Sequence, residues 1–194
     1  MVTGRDGTAR RTSSHDDDAI VTTPRLAVRP WRPDEAARLF DIRSRREVAM
    51  WLSDPTPWAE PAVARTRIAQ WARERGEDPP CGTWAIAPAG DALPAGAVSL
   101  HRLPDDDEIE IGWYLHPDAV GRGLAREAAA GVLDHAFAAR VARVWAIMWP
   151  HNTRSAQIAL AIGMRDLGIR NDPWYGTEEE PTSRMFRADR PDPN

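Results

Sequence analysis

Residues 108–130 read EIEIGWYLHPDAVGRGLAREAAA, and the spacing of their apolar residues changes partway along. Ile109, Ile111, Trp113 and Leu115 fall on one face, and Glu108, Glu110, Gly112 and Tyr114 on the other, which is the alternation of a strand. Pro117 cannot donate to a ladder and ends it. From Leu124 the pattern is helical, with Leu124, Ala128, Val132, Leu133, Ala136 and Phe137 on one stripe, so a helix starts within Gly121-Arg122-Gly123-Leu124-Ala125. A helix start offers unpaired N–H groups and the positive end of the macrodipole, and glycine lets an oxyanion come close to both. The loop therefore reads as a cradle for phosphate or pyrophosphate.

Working outward, 194 residues with 42% hydrophobic content suffice for one ordinary domain with a complete core. We expect a polar tail without regular structure over 1–19 and a single α/β domain over 20–190. A net charge of -4 gives no electrostatic case for nucleic acid as the main partner, and no apolar run is long enough to span a membrane. The opening residues lack the apolar core of a secretion signal and Cys81 is the only cysteine, so a cytoplasmic setting is expected. Every one of the 25 basic residues is arginine, which excludes a P-loop lysine, a Schiff-base lysine and a lysine general base. His15, His101, His116, His135 and His151 are scattered without metal-ligand spacing, and no metal is expected.

In chain order, Pro24–Trp31 reads as a first strand. Pro33-Asp34-Glu35 opens a helix, and a second amphipathic helix spans about Glu60 to Arg75. Thr83–Ala87, Ala95–Arg102 and Glu108–Leu115 form an antiparallel meander. Arg143–Trp149, after the glycine-loop helix, completes a right-handed parallel crossover, so the sheet is mixed. Asn152 caps a short helix over Thr153–Ile162, and strands near Met164–Ile169 and Ser183–Arg187 finish the domain.

This order, with PRLAVRPW in front, EIEIGWYL-x-P before GRGLAREA, and N-x-x-S-x7-G-M after the next strand, resembles the GNAT superfamily of N-acetyltransferases, and within it the RimJ/RimL-type ribosomal-protein acetyltransferases. The resemblance covers roughly Val21 to Arg187. It implies a mixed, mostly antiparallel sheet with flanking helices, and acetyl-CoA as the donor to a primary amine attacking directly in a ternary complex. It also implies that Trp113, Tyr114 and Leu115 line the pantetheine, that Gly121, Arg122, Gly123, Leu124, Ala125 and Arg126 hold the pyrophosphate, and that Asn152 bonds the pantetheine arm. Val120 departs from the pattern, standing where the family has a polar residue.

The chemistry needs a base for the amine and an acid for the departing thiolate. Glu110 is the first choice for the base because it lies on the polar face of its strand, with Glu108 behind it. Ala159 occupies the position at which many members of the family carry an acidic tyrosine, which leaves Ser155 and Tyr175 as candidate proton donors. The loop Asp172–Glu180 joins aromatic residues to carboxylates and would suit a cationic acceptor. The expected partners are a protein N-terminus or a small amine, and a homodimer is left open. A dinucleotide-binding oxidoreductase would need glycine where Arg126 stands. A non-catalytic acyl-CoA sensor is the remaining alternative, because the usual acid is missing.

Overall fold

The computed structural model describes residues 18–191. All but the last two residues of the expected 1–19 tail lie outside that range. A mixed sheet of eight strands runs in the order β1 (Val21–Thr22), β2 (Leu26–Pro30), β3 (Gly82–Pro88), β4 (Gly96–Arg102), β5 (Ile109–Leu115), β6 (Arg143–Met148), β8 (Thr182–Asp189), β7 (Arg165–Asn171). Neighbouring strands are antiparallel except β5 and β6, which are parallel and joined through the crossover helix α4 (Leu124–Ala138). Helices α1 (Ala36–Arg43), α2 (Arg46–Ala49) and α3 (Pro61–Glu74) fill the chain between β2 and β3, and α5 (Thr153–Ala161) follows β6.

The single strand expected over Pro24–Trp31 is two strands. Thr23 N–H bonds Leu26 O and the Thr23 hydroxyl accepts from Leu26 N, a tight turn that folds the short β1 back along β2. Likewise three α-helices, not two, lie between β2 and β3, behind a 3-10 turn at Pro33–Glu35, and the extra one, α2, is a single turn. A buried ion pair, Arg29 Nη1 to Glu35 Oε2 at 3.0 Å, fixes the β2–α1 junction, and the same carboxylate accepts from Arg32 N–H at 2.9 Å.

Both sheet faces are covered, as the alternation of β5 requires. Ile109 and Ile111, with Val98, Leu100 and Ile86, pack under Leu124, Ala128, Val132 and Leu133 of α4. On the opposite face Ala85 and Ala97 lie under Trp31, Leu39, Ile42, Ala64 and Ile68, with Tyr114 packed against that cluster. Each fully buried Ile or Leu contributes roughly 1.5–3 kcal/mol, so the two layers hold the sheet firmly from both sides.

The parallel pair is short. Only Ile109 with Val144 and Glu110 with Trp145 stand in register, whereas β6 pairs with β8 along its whole length. Beyond Glu110 the two strands diverge into a fork, with Glu110 at its vertex and the starts of α4 and α5 at its mouth.

Candidate active site

Glu110 is half-buried at the vertex. The Tyr175 hydroxyl donates to its Oε2 at 2.7 Å, and Ile147 N–H donates to the same carboxylate from across the fork. Burial pushes the carboxyl up to about 7, outweighing the two hydrogen bonds, which pull it down; Asp172 nearby adds to the rise. A carboxyl near neutrality is a proton acceptor that can also release its proton at working pH. Burial, and then the adjoining Glu110, hold the Tyr175 phenol well above its ordinary range, so it stays a hydrogen-bond donor.

Asp172 sets Tyr175 in place. Its Oδ1 accepts from the backbone N–H groups of Trp174 and Tyr175, both at 3.0 Å, turning the loop inward. The Trp174 ring leans on Trp145 at 5.2 Å between centroids, and its Nε1 donates to Asp106 Oδ2 at 3.3 Å. Glu178, Glu179 and Glu180 are exposed, so the loop turns its aromatic residues and Asp172, and not these three acids, toward the fork. Glu108 is committed elsewhere: Trp145 Nε1 donates to it at 2.9 Å and Arg143 pairs with it at 2.9 Å.

At the mouth, Gly123 caps α4 with φ +77° and Gly121 has φ +86°. An added Cβ at Gly121 would meet nothing within 4 Å, and one at Gly123 only Arg25 Nη2 at 3.6 Å, so backbone conformation and not crowding calls for glycine. The first intrahelical bond runs from Glu127 N–H to Gly123 O, which leaves the N–H groups of Leu124, Ala125 and Arg126 without helical partners. The side chains of Leu124 and Ala125 are buried, so only their backbone can reach a ligand. Arg122 pairs with Asp91 at 2.7 Å, and Arg126 is exposed. Arg25 lies over this loop: its Nη1 donates to Arg122 O at 3.1 Å and its Nε to Glu127 Oε2 at 2.7 Å, while Thr23 holds the other oxygen of Glu127.

Trp113, Tyr114 and Leu115 continue β5 along one limb of the fork. Trp113 and Leu115 pack toward α4 and Tyr114 toward α1. Asn152 is buried and caps α5, its Oδ1 accepting from Ser155 N–H at 3.2 Å; this leaves Nδ2 for another partner. Ser155 is half-buried in the first turn of the same helix. The fold thus gathers Glu110 and Tyr175 at the vertex, and the glycine loop, Asn152 and Ser155 at the mouth.

Two features carry no sequence signal. Arg43 lies between Trp58 and Tyr114, and Arg25 is clasped by Glu127. In a chain whose only strong cations are arginines, nothing local marks these two. Among the described residues no group of three or more His, Cys, Asp or Glu side chains could hold a metal ion, and no helix is long and apolar enough to cross a membrane.

Residues 25–165 match the family described as Acetyltransferase (GNAT) domain. An uncharacterised N-acetyltransferase, YnaD, of Bacillus subtilis is 23% identical over 150 residues, which is 77% of this chain and 84% of that protein. An acetyltransferase of the GNAT family from Bacillus anthracis superposes with a TM-score of 0.74 at 19% identity, covering 88% of this chain and 98% of that one. RimJ of Mycobacterium smegmatis, solved with a CoA disulfide, does so with 0.68 at 20% identity, covering 84% and 81%. With the family's domain matched across most of its length, and the mixed sheet, forked parallel pair and glycine-opened helix all present, this chain belongs to the GNAT acetyltransferase family.

Proposed function

We propose that the chain transfers the acetyl group of acetyl-CoA to an α-amine, of a protein or peptide N-terminus or of a small molecule, with both substrates bound together. The observation that carries this reading is the fork, with a carboxyl tuned to about 7 at its vertex and a helix start opened by two left-handed glycines at its mouth. Its residues fit the donor. The β6-facing edge of Ile111–Leu115 can take an extended arm as an added strand. Gly121, Arg122, Gly123, Leu124, Ala125 and Arg126 present backbone N–H groups to a pyrophosphate, and Asn152 Nδ2 can bond the arm. When bound, acetyl-CoA supplies a thioester carbon with which the amine nitrogen forms a bond as the carbon–sulfur bond breaks.

Glu110 takes the amine proton. An α-ammonium near 8 gives its proton to a group near 7 at a cost of about 1.4 kcal/mol, whereas an ordinary carboxylate near 4.3 would make the step about 5 kcal/mol uphill. Lysine, near 10.4, would add about 3 kcal/mol, so the site is matched to the less basic amine. Tyr175 orients the base, and Ser155, in the first turn of α5, supplies a proton to the thiolate.

The test pairs a peptide bearing a free N-terminus with the same peptide N-blocked and carrying lysine, scored by mass spectrometry and CoA release. Acetylation of the free N-terminus is expected. Preferential acetylation of the blocked peptide would overturn the acceptor, and CoA release from neither peptide nor from a panel of small amines would overturn the reaction.

A further inference from the structure

Arg43 ends α1 with its guanidinium carbon 5.0 Å from the Trp58 ring centroid and 5.7 Å from that of Tyr114. Its Nε is buried without a hydrogen-bond partner, while Nη1 and Nη2 are neither buried nor bonded to protein among the described residues, so an open guanidinium edge remains. Arg25, Arg29, Arg38, Arg102 and Arg143 each hold an acid; Arg43 does not. Burial pulls it below its ordinary value, Arg67 pulls the same way, and Tyr114 and Asp54 oppose them. Asp54 forms no ion pair with it, and its Oδ1 accepts from Thr56 N–H at 3.1 Å. Two aromatic contacts hold the plane of the guanidinium without neutralising its charge. Its open edge is left for an anion that the described residues do not supply.

Its position says whose. Tyr114 and Glu110 are on the same face of β5, four residues apart, or about 13 Å between Cα atoms. Arg67, the second cation near Arg43, lines a cavity of about 500 Å³ with Trp31, Trp71, Thr83 and His101, and His101 is the cross-strand partner of Glu110. The base, the cavity and the open arginine therefore share the face of the sheet that packs against α1 and α3. Allowing for side-chain reach, the spacing matches roughly two to four extended residues at about 3.3–3.6 Å each.

We propose that Arg43, held edge-out between Trp58 and Tyr114, is the anion-recognition group of the acceptor site, and that the acetylated amine carries a carboxylate within its first few residues. This rests on the acetyl-transfer reading, and the test keeps the two apart. Peptides with free N-termini and Asp at position two, three or four are compared with their Asn counterparts. The best Asp peptide should exceed its Asn counterpart at least tenfold in kcat/KM with the wild type. Arg43→Gln should bring that ratio to about one, and Arg43→Lys should restore it only in part, because an ammonium keeps the charge but not the planar edge. A ratio near one in the wild type, or one unchanged by Arg43→Gln in a protein that melts cooperatively, overturns the inference. Calorimetry with the N-acetylated Asp and Asn peptides needs no turnover. Tighter binding of the Asp form without CoA release from any peptide would keep the anion site and sink acetyl transfer; equal binding with equal turnover would do the reverse.

Discussion

Glu110 serves chemistry and stability in opposite directions. Its carboxyl titrates at about 7 in the fold and near 4.5 in the open chain, so between those values the folded state holds the extra proton and stability falls as pH rises. Below the lower value both states are protonated and nothing is lost; above the upper one the full cost, on the order of 3 kcal/mol, is present. Glu110→Gln should therefore melt several degrees higher than the wild type at pH 8 and about equally at pH 4, by calorimetric scans, while its kcat falls 10²–10⁴-fold. Tyr175→Phe removes a hydrogen bond that favours the carboxylate. The rising limb of its pH–rate profile should move to higher pH, and a limb that stays put would mean Tyr175 does not tune the base. Alternation along β5 singled out Glu110, and the aromatic loop singled out Tyr175, but their contact was not legible, because they lie 65 residues apart and no periodicity joins them.

At the scale of elements, the start of α4 decides donor binding. Gly123 has open space and φ +77°, so Gly123→Ala should cost about 1 kcal/mol of strain and weaken acetyl-CoA modestly. Gly123→Glu adds a carboxylate at the N–H cradle and should weaken binding more than tenfold by calorimetry; unchanged affinity in the folded variant would remove the loop from the site. This loop and helix were readable from a change of period within one stretch. Strand β1 was not, since two residues have no period, and α2 was missed as a single turn. The fork escaped the sequence for another reason. It arises because β8 holds β6 along its full length while β5 follows β4, and that competition is between distant partners.

Across the whole molecule, two apolar layers clamp a sheet whose middle is opened by the fork. Ile111 is 1% exposed beneath α4, so Ile111→Ala should lower stability by about 2–5 kcal/mol, seen as a drop of roughly 4–20 °C in Tm. Beyond Glu110, β5 has β4 on one side and, among the described residues, no strand in register on the other. A row of main-chain donors and acceptors facing a gap is chemically a sheet edge, the template on which chains add to one another and precipitate. Here the recess of the fork keeps foreign strands away only while the limbs hold their spacing, and if warming loosens that spacing before the clamped layers melt, the edge is exposed first. Clouding on heating should thus begin below the calorimetric Tm, with a cross-β signature, and CoA should delay its onset by more degrees than it raises Tm, making the cosubstrate a guard against self-association as well as a reactant.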